Sequence, residues 1–129
     1  MSKKYDYNKS DIANIVEEFK ALLVEHDCAD DVCIYYNNRR TRYIAHLWNE
    51  ETKKFDDVKD WVDDGKGFHP TKYCKYAPET NIISFSSEGT LYDYMYSDTP
   101  EWLEKFALKY GMYIEYATRW FFYFAPCNE

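Results

Sequence analysis

"MYIEYATRWFFYF", Met112 to Phe124, carries seven aromatic rings in thirteen residues, in a chain of net charge −7 and mean hydropathy −0.71. Two β-rich runs, Met112–Tyr116 and Trp120–Phe124, flank Ala117-Thr118-Arg119, so the stretch reads as a terminal hairpin. Side chains alternate between the faces of a strand. Trp120, Phe122 and Phe124 then share one face, while Arg119, Phe121 and Tyr123 share the other. The first face is expected to pack against Trp102, Phe106 and the first helix. The second face is aromatic too, so it needs a covering layer, for which the polar stretch 50–78 is available, or a partner.

Upstream, Gly111 suits a left-handed helix end. Thr99-Pro100 suits a helix start with proline in the first turn. The helix between them points Trp102, Leu103, Phe106, Ala107 and Tyr110 inward. At the other end of the chain, Asn8 or Ser10 caps a helix whose Ile12, Ile15, Val16, Phe19, Leu22 and Leu23 lie on one face, ending near His26. "DVCIYYNNRRTRYIAHLW" reads as a hairpin about Asn37-Asn38, because asparagine tolerates the positive φ of a tight turn. Residues 50–64 read as a short amphipathic helix or a loop excursion. Gly65, Gly67 and Pro70 mark irregular backbone to about Pro78. "NIISFS" reads as a strand, and the alternation of "TLYDYMY" favours a strand over a short helix. "IYYNNRRTRY" and "IEYATRWFFY" echo each other, each with Ile-x-Tyr before a turn bearing arginine. The expectation is one α+β domain over residues 1–129. Two main helices pack on a mostly antiparallel sheet, with two helix–hairpin units as one way to build it.

Charge and hydropathy narrow the function classes. Sixteen Lys and Arg face 23 Asp and Glu, which argues against a general nucleic-acid binder, since that needs a basic footprint. The same balance suits a basic-surfaced protein partner, although solubility alone also accounts for it. No apolar run approaches the ~18 residues of a membrane helix. The first residues lack the apolar region of a signal peptide, so the expected location is the cytoplasm. Cysteines are expected to stay reduced there, without disulfides.

No motif names a reaction. His26, Cys28, Cys33, His69 and Cys74 are zinc-ligand types, but no Cys-x₂-Cys pair exists, and neither a metal nor a cofactor is expected. A Cys–His or Ser–His nucleophile has no local signature here, and "FDDVKDWVDD" is a charged run rather than a tuned acid–base pair. The chain leans away from an enzyme. Two binding surfaces remain. In the first, Glu50, Glu51, Asp56, Asp57, Asp60, Asp63 and Asp64 surround Phe55 and Trp61, so that carboxylates imitate a run of phosphates and the rings anchor. In the second, Arg39, Arg40, Arg42 and Arg119 all fall at hairpin turns. With Tyr43 and its aromatic neighbours they form an alternative site for a nucleotide-like anion.

Small size, acidity, abundant Tyr and Trp and the absence of a catalytic signature resemble the small phage and mobile-element inhibitors of the anti-CRISPR or antirestriction type. The likeness is one of general character over the whole chain. It implies a non-enzymatic inhibitor or adaptor that occupies the nucleic-acid site of a host defence enzyme, and it carries over no individual residue.

Overall fold

Asn37 and Asn38 take φ of 50° and 59°, the left-handed pair that a two-residue hairpin demands, and they join strand β1 (Val32–Tyr36) to β2 (Arg39–Asn49). In this computed structural model, the structure describes residues 7–67, 69–72, 74–75 and 83–127. Helix α1 (Lys9–Glu25) precedes the hairpin, and Asn8 caps it by accepting the Asp11 N–H at 2.8 Å. β3 (Lys54–Lys66) follows, then a 3-10 turn at Pro70–Lys72 and β4 (Ser84–Ser87). Two helices come next, α2 (Thr90–Ser97) and α3 (Glu101–Lys109), and the hairpin β5 (Met112–Tyr116) and β6 (Phe121–Pro126) closes the fold. The six strands form one sheet in the order β3-β2-β1-β4-β6-β5, every neighbour antiparallel. The protein is an α+β fold.

Three local expectations change. Residues 54–66 are a strand, neither helix nor loop excursion. "TLYDYMY" is helical, because Leu91 and Met95, four apart, are the side chains that reach the core. Asp30 holds the start of that helix by accepting the Thr90 N–H at 2.9 Å and the Thr90 hydroxyl at 3.0 Å. Gly89 permits this approach, since a Cβ there would lie 2.3 Å from the Asp30 carboxylate. Gly89→Ala is therefore expected to lower stability by ~1–3 kcal/mol through overpacking, read from chemical denaturation. Third, the echo between the hairpins is not kept in the sheet. The first hairpin runs from its inner strand β1 outward, and the second from its outer strand β5 inward. Of "NIISFS", Asn81 and Ile82 lie outside the described residues.

The core gathers rings from distant parts of the chain. Phe19 of α1 meets Phe85 edge-on at 5.0 Å, Phe124 edge-on at 5.1 Å and Phe106 stacked at 5.7 Å. Phe122 and Phe124 are fully buried, but Trp120 is 38% exposed. The final strand begins at Phe121, so Trp120 lies at the end of the turn; its carbonyl continues the β4–β6 ladder by accepting from the Ser87 N–H, but its ring is not among the core residues. Trp102 instead stacks on His26, with ring centres 4.1 Å apart. On the opposite face of the sheet Phe121 is fully buried against Tyr35 and Cys74, flanked by Cys33 and Ala117. Cys74, just after the 3-10 turn, thus packs on the second aromatic face.

Candidate functional site

β2 pairs with β1 only over Arg39–Arg42, whereas it pairs with β3 along its whole length. Tyr43 and Trp61 face each other at the root, their rings edge-on at 5.4 Å, and both pack against the core beside α1. Beyond them β2 and β3 form a two-stranded arm of about 20 Å at ~3.3 Å per residue. Its end exposes apolar surface: Leu47 is 56%, Trp48 44% and Phe55 66% exposed. Trp48 and Phe55 are direct cross-strand partners with ring centres 5.0 Å apart. The Trp48 indole N–H donates to Glu50 at 3.0 Å, which fixes the ring. A two-stranded ribbon stabilises itself weakly; the Trp–Phe pair ties its strands together, and as exposed apolar surface it is the kind of patch that marks an interaction site.

Charge on the arm is mixed. Glu50, Glu51, Asp56, Asp57 and Asp60 alternate with Lys53, Lys54 and Lys59. Lys53 pairs with Glu50 at 2.8 Å, His46 with Asp57 at 2.9 Å, and Asn49 donates to Asp56 at 3.0 Å. All five carboxylate residues are exposed. The Lys53 ammonium and then the Trp48 indole hold the Glu50 carboxyl below its usual range.

Asp63 and Asp64 behave differently. Two bulges interrupt β3, at Val58-Lys59 and Asp64-Gly65, where two residues face one on β2. The second bulge includes Asp64, and bulges commonly re-aim a side chain. Asp64 accepts from Arg40 Nε at 2.8 Å and Arg42 Nε at 2.9 Å. Arg39 pairs with Asp63 at 3.4 Å. Apart from Arg119, which lies in the turn before β6, the two surfaces expected from the sequence therefore belong to one hairpin, and where they adjoin their charges compensate. Asp64 and Arg40 are the least exposed of this group. Asp64→Ala leaves two guanidinium groups without their carboxylate and is expected to cost ~1–3 kcal/mol, whereas Asp57→Ala should cost under ~1 kcal/mol; paired urea titrations compare the two. Trp61, expected as an anchor, is half-buried at the root with its indole nitrogen enclosed. Trp48 and Leu47 are the exposed apolar residues of the arm that sequence reading missed. Both sit in the run "IAHLWN", where an apolar pair beside a turn reads as ordinary strand.

The alternative site is partly assembled. A cleft of about 290 Å³ opens where β1, β4 and the 117–120 turn meet, and Arg42, Tyr43 and Trp120 line it. Asp31 and Glu88 line it as well, and Arg42 already engages Asp64, so the field there is poor for an anion. Arg119 is exposed in the turn.

Cys33 and Ser86 form the floor of this cleft. Burial raises the Cys33 thiol despite the opposing pull of Arg40, Ser86 and Arg42, so it is no activated nucleophile. Burial, then Asp30 and Asp27, push the Cys28 thiol up to about 11. Folding thus favours the protonated Cys28. That contribution is full below the ordinary thiol pKa of 9.0 and is lost as pH rises through about 11. At pH 8 a thiol reagent should label exposed Cys127 first and Cys28 last, with peptide mass mapping as the readout. Among the described residues no group of three or more His, Cys, Asp or Glu is arranged to hold a metal.

No protein-family model matches this chain, and comparison with curated proteins and with solved structures gives no match.

Proposed function

We propose that this protein is a non-enzymatic inhibitor or adaptor that docks on a basic-surfaced protein through the β2–β3 arm. The observation that carries the reading is the exposed Trp48–Phe55 pair near the end of a projecting ribbon whose carboxylates face solvent. Aromatic anchors ringed by polar side chains are the usual composition of a binding hot spot. Glu50, Glu51, Asp56, Asp57 and Asp60 would meet a positive groove of the kind that holds nucleic acid, consistent with the phage-inhibitor likeness of the sequence. Asp63, Asp64 and Trp61 would support the arm from its root rather than touch the partner. The nucleotide-like-anion reading is less favoured, because Asp31 and Glu88 share the cleft with Arg42.

The test is affinity capture from the native host with the parent protein and with Trp48→Ala/Phe55→Ala as baits. A nucleic-acid-processing enzyme enriched only by the parent supports the proposal. Equal capture by both baits, or no protein captured while a small anion copurifies with the parent, would overturn it.

A further inference from the structure

A sheet of six strands has two edges, and this protein treats them differently. The β3 edge carries two bulges, left-handed backbone at Lys59 and Gly65, and a dense run of charge, all of which obstruct a further strand. The β5 edge has none of these: Met112–Tyr116 is free of positive φ, bulge, lysine and proline.

The register shows which backbone groups β5 turns outward. Cys127 N–H donates to the Gly111 carbonyl at 2.8 Å, and Ala117 N–H to the Phe121 carbonyl at 2.9 Å. Hydrogen-bonded and non-bonded pairs alternate along an antiparallel ladder. Tyr113↔Ala125 and Glu115↔Tyr123 are therefore the bonded pairs between those ends. The amide of Phe124, opposite Ile114, points the other way and donates to Ile83 at 2.9 Å. The N–H and C=O groups of Met112, Ile114 and Tyr116 must then point out of the sheet, and among the described residues no hydrogen bond meets them.

Beside this edge a groove of about 250 Å³ runs between α3 and β5, walled by Leu108, Tyr113 and Ile114, with Thr99 and Glu104 at its rim. Leu108 is 62% exposed and Tyr113 43%. The local charge is negative. Glu104 and Glu115 make no ion pair among the described residues, while Lys105 is taken by Glu101 and Lys109 by Glu18.

We infer that the β5 edge is a second docking surface, one that takes an extended peptide segment of a partner protein as a seventh strand. Main-chain hydrogen bonds at Met112, Ile114 and Tyr116 would hold it. An apolar side chain would enter the Leu108–Ile114 groove, and neighbouring Lys or Arg side chains would face Glu104 and Glu115. Strand addition joins main-chain affinity to side-chain pockets at alternate positions in this way. β3 and β5 stand at opposite ends of the sheet, roughly 24 Å apart at ~4.8 Å per strand. The arm and the edge are thus separate, and the inference does not rest on the arm's role.

The experiment is amide hydrogen exchange by NMR on the full chain, with a blocked heptapeptide of alternating Val and Lys as probe and its Val/Glu counterpart as control. At millimolar Val/Lys peptide the Met112, Ile114 and Tyr116 amides should exchange at least ~10-fold more slowly, while Tyr113 and Glu115, already bonded to β6, change little. Leu108→Lys, at an exposed position, should weaken binding ~10-fold or more by removing the apolar wall and adding like charge. Ile114→Pro removes an outward N–H and no ladder bond, so a folded variant should lose the protection entirely. Trp48→Ala should leave peptide binding unchanged. No protection at the three amides, equal binding of the Val/Glu peptide, or an unaltered affinity for Leu108→Lys would each overturn the inference.

Discussion

Phe124→Ala should cost ~3–5 kcal/mol of folding free energy, the range for truncating a large buried ring. Set against the ~5–15 kcal/mol of a typical domain, this is enough to leave the variant marginal or unfolded. The side chain is fully buried and touches three other phenylalanines, with ring centres at 5.1 Å to Phe19, 5.3 Å to Phe85 and 5.9 Å to Phe106. Those rings come from α1, β4 and α3, so one truncation opens a void where both layers meet. Trp120→Ala is the matched control. Although the indole is larger, it is 38% exposed in a turn, and its removal should cost at most ~1 kcal/mol. Chemical denaturation of both variants decides the matter. A Trp120→Ala loss as large as that of Phe124→Ala would show that the turn packs far more tightly than its exposure indicates.

Trp48→Ala/Phe55→Ala should weaken partner binding by at least ~2 kcal/mol, roughly thirtyfold, because hot-spot aromatics commonly contribute that much or more. Its folding stability should stay within ~0.5 kcal/mol per substitution of the parent, as for exposed positions generally. The contrast between binding and stability is the diagnostic. Asp56, Asp57 and Asp60 should act differently from the rings. Changing all three to Asn should mainly slow association, and most strongly at low salt, since exposed charges steer encounters and are screened beyond ~10 Å at 0.1 M ionic strength. Surface plasmon resonance at two salt concentrations, with the captured partner immobilised, separates the two effects. Unchanged affinity in the aromatic variant would remove the arm from the interface. Asp63 and Asp64 should be left intact in such work, because they hold Arg39, Arg40 and Arg42 and their loss would disturb the arm's root.

Local chemistry was enough to read several elements from the sequence. The apolar spacing of Ile12, Ile15, Val16, Phe19 and Leu23 defines α1 and its buried face, and Asn8 caps it. Asn37-Asn38 marks a turn because both residues tolerate positive φ, and Gly111 ends α3 with φ of 70° for the same reason. The aromatic stretch at 112–124 announced a hairpin with rings on both faces, and left open whether a second layer or a partner covers the outer one; in the structure Phe121 packs there against Tyr35 and Cys74. Other features depend on contacts between residues far apart in sequence, which no local pattern encodes. Alternation in "TLYDYMY" suggested a strand, but Asp30, sixty residues upstream, caps it as a helix. Residues 54–66 have too few apolar side chains to declare a strand, and they become one because β2 supplies the backbone partners. Which carboxylate pairs with the arginines depended on the bulge at Asp64-Gly65, where Asp64 accepts from Arg40 and Arg42. Which rings face solvent depended on strand register: a start one residue later placed Trp120 in the turn, and the reach of β2 past β1 left Trp48 and Phe55 uncovered. Composition and periodicity report what each residue prefers, but only the tertiary pairing decides which of those preferences are met within the chain and which are left for a partner.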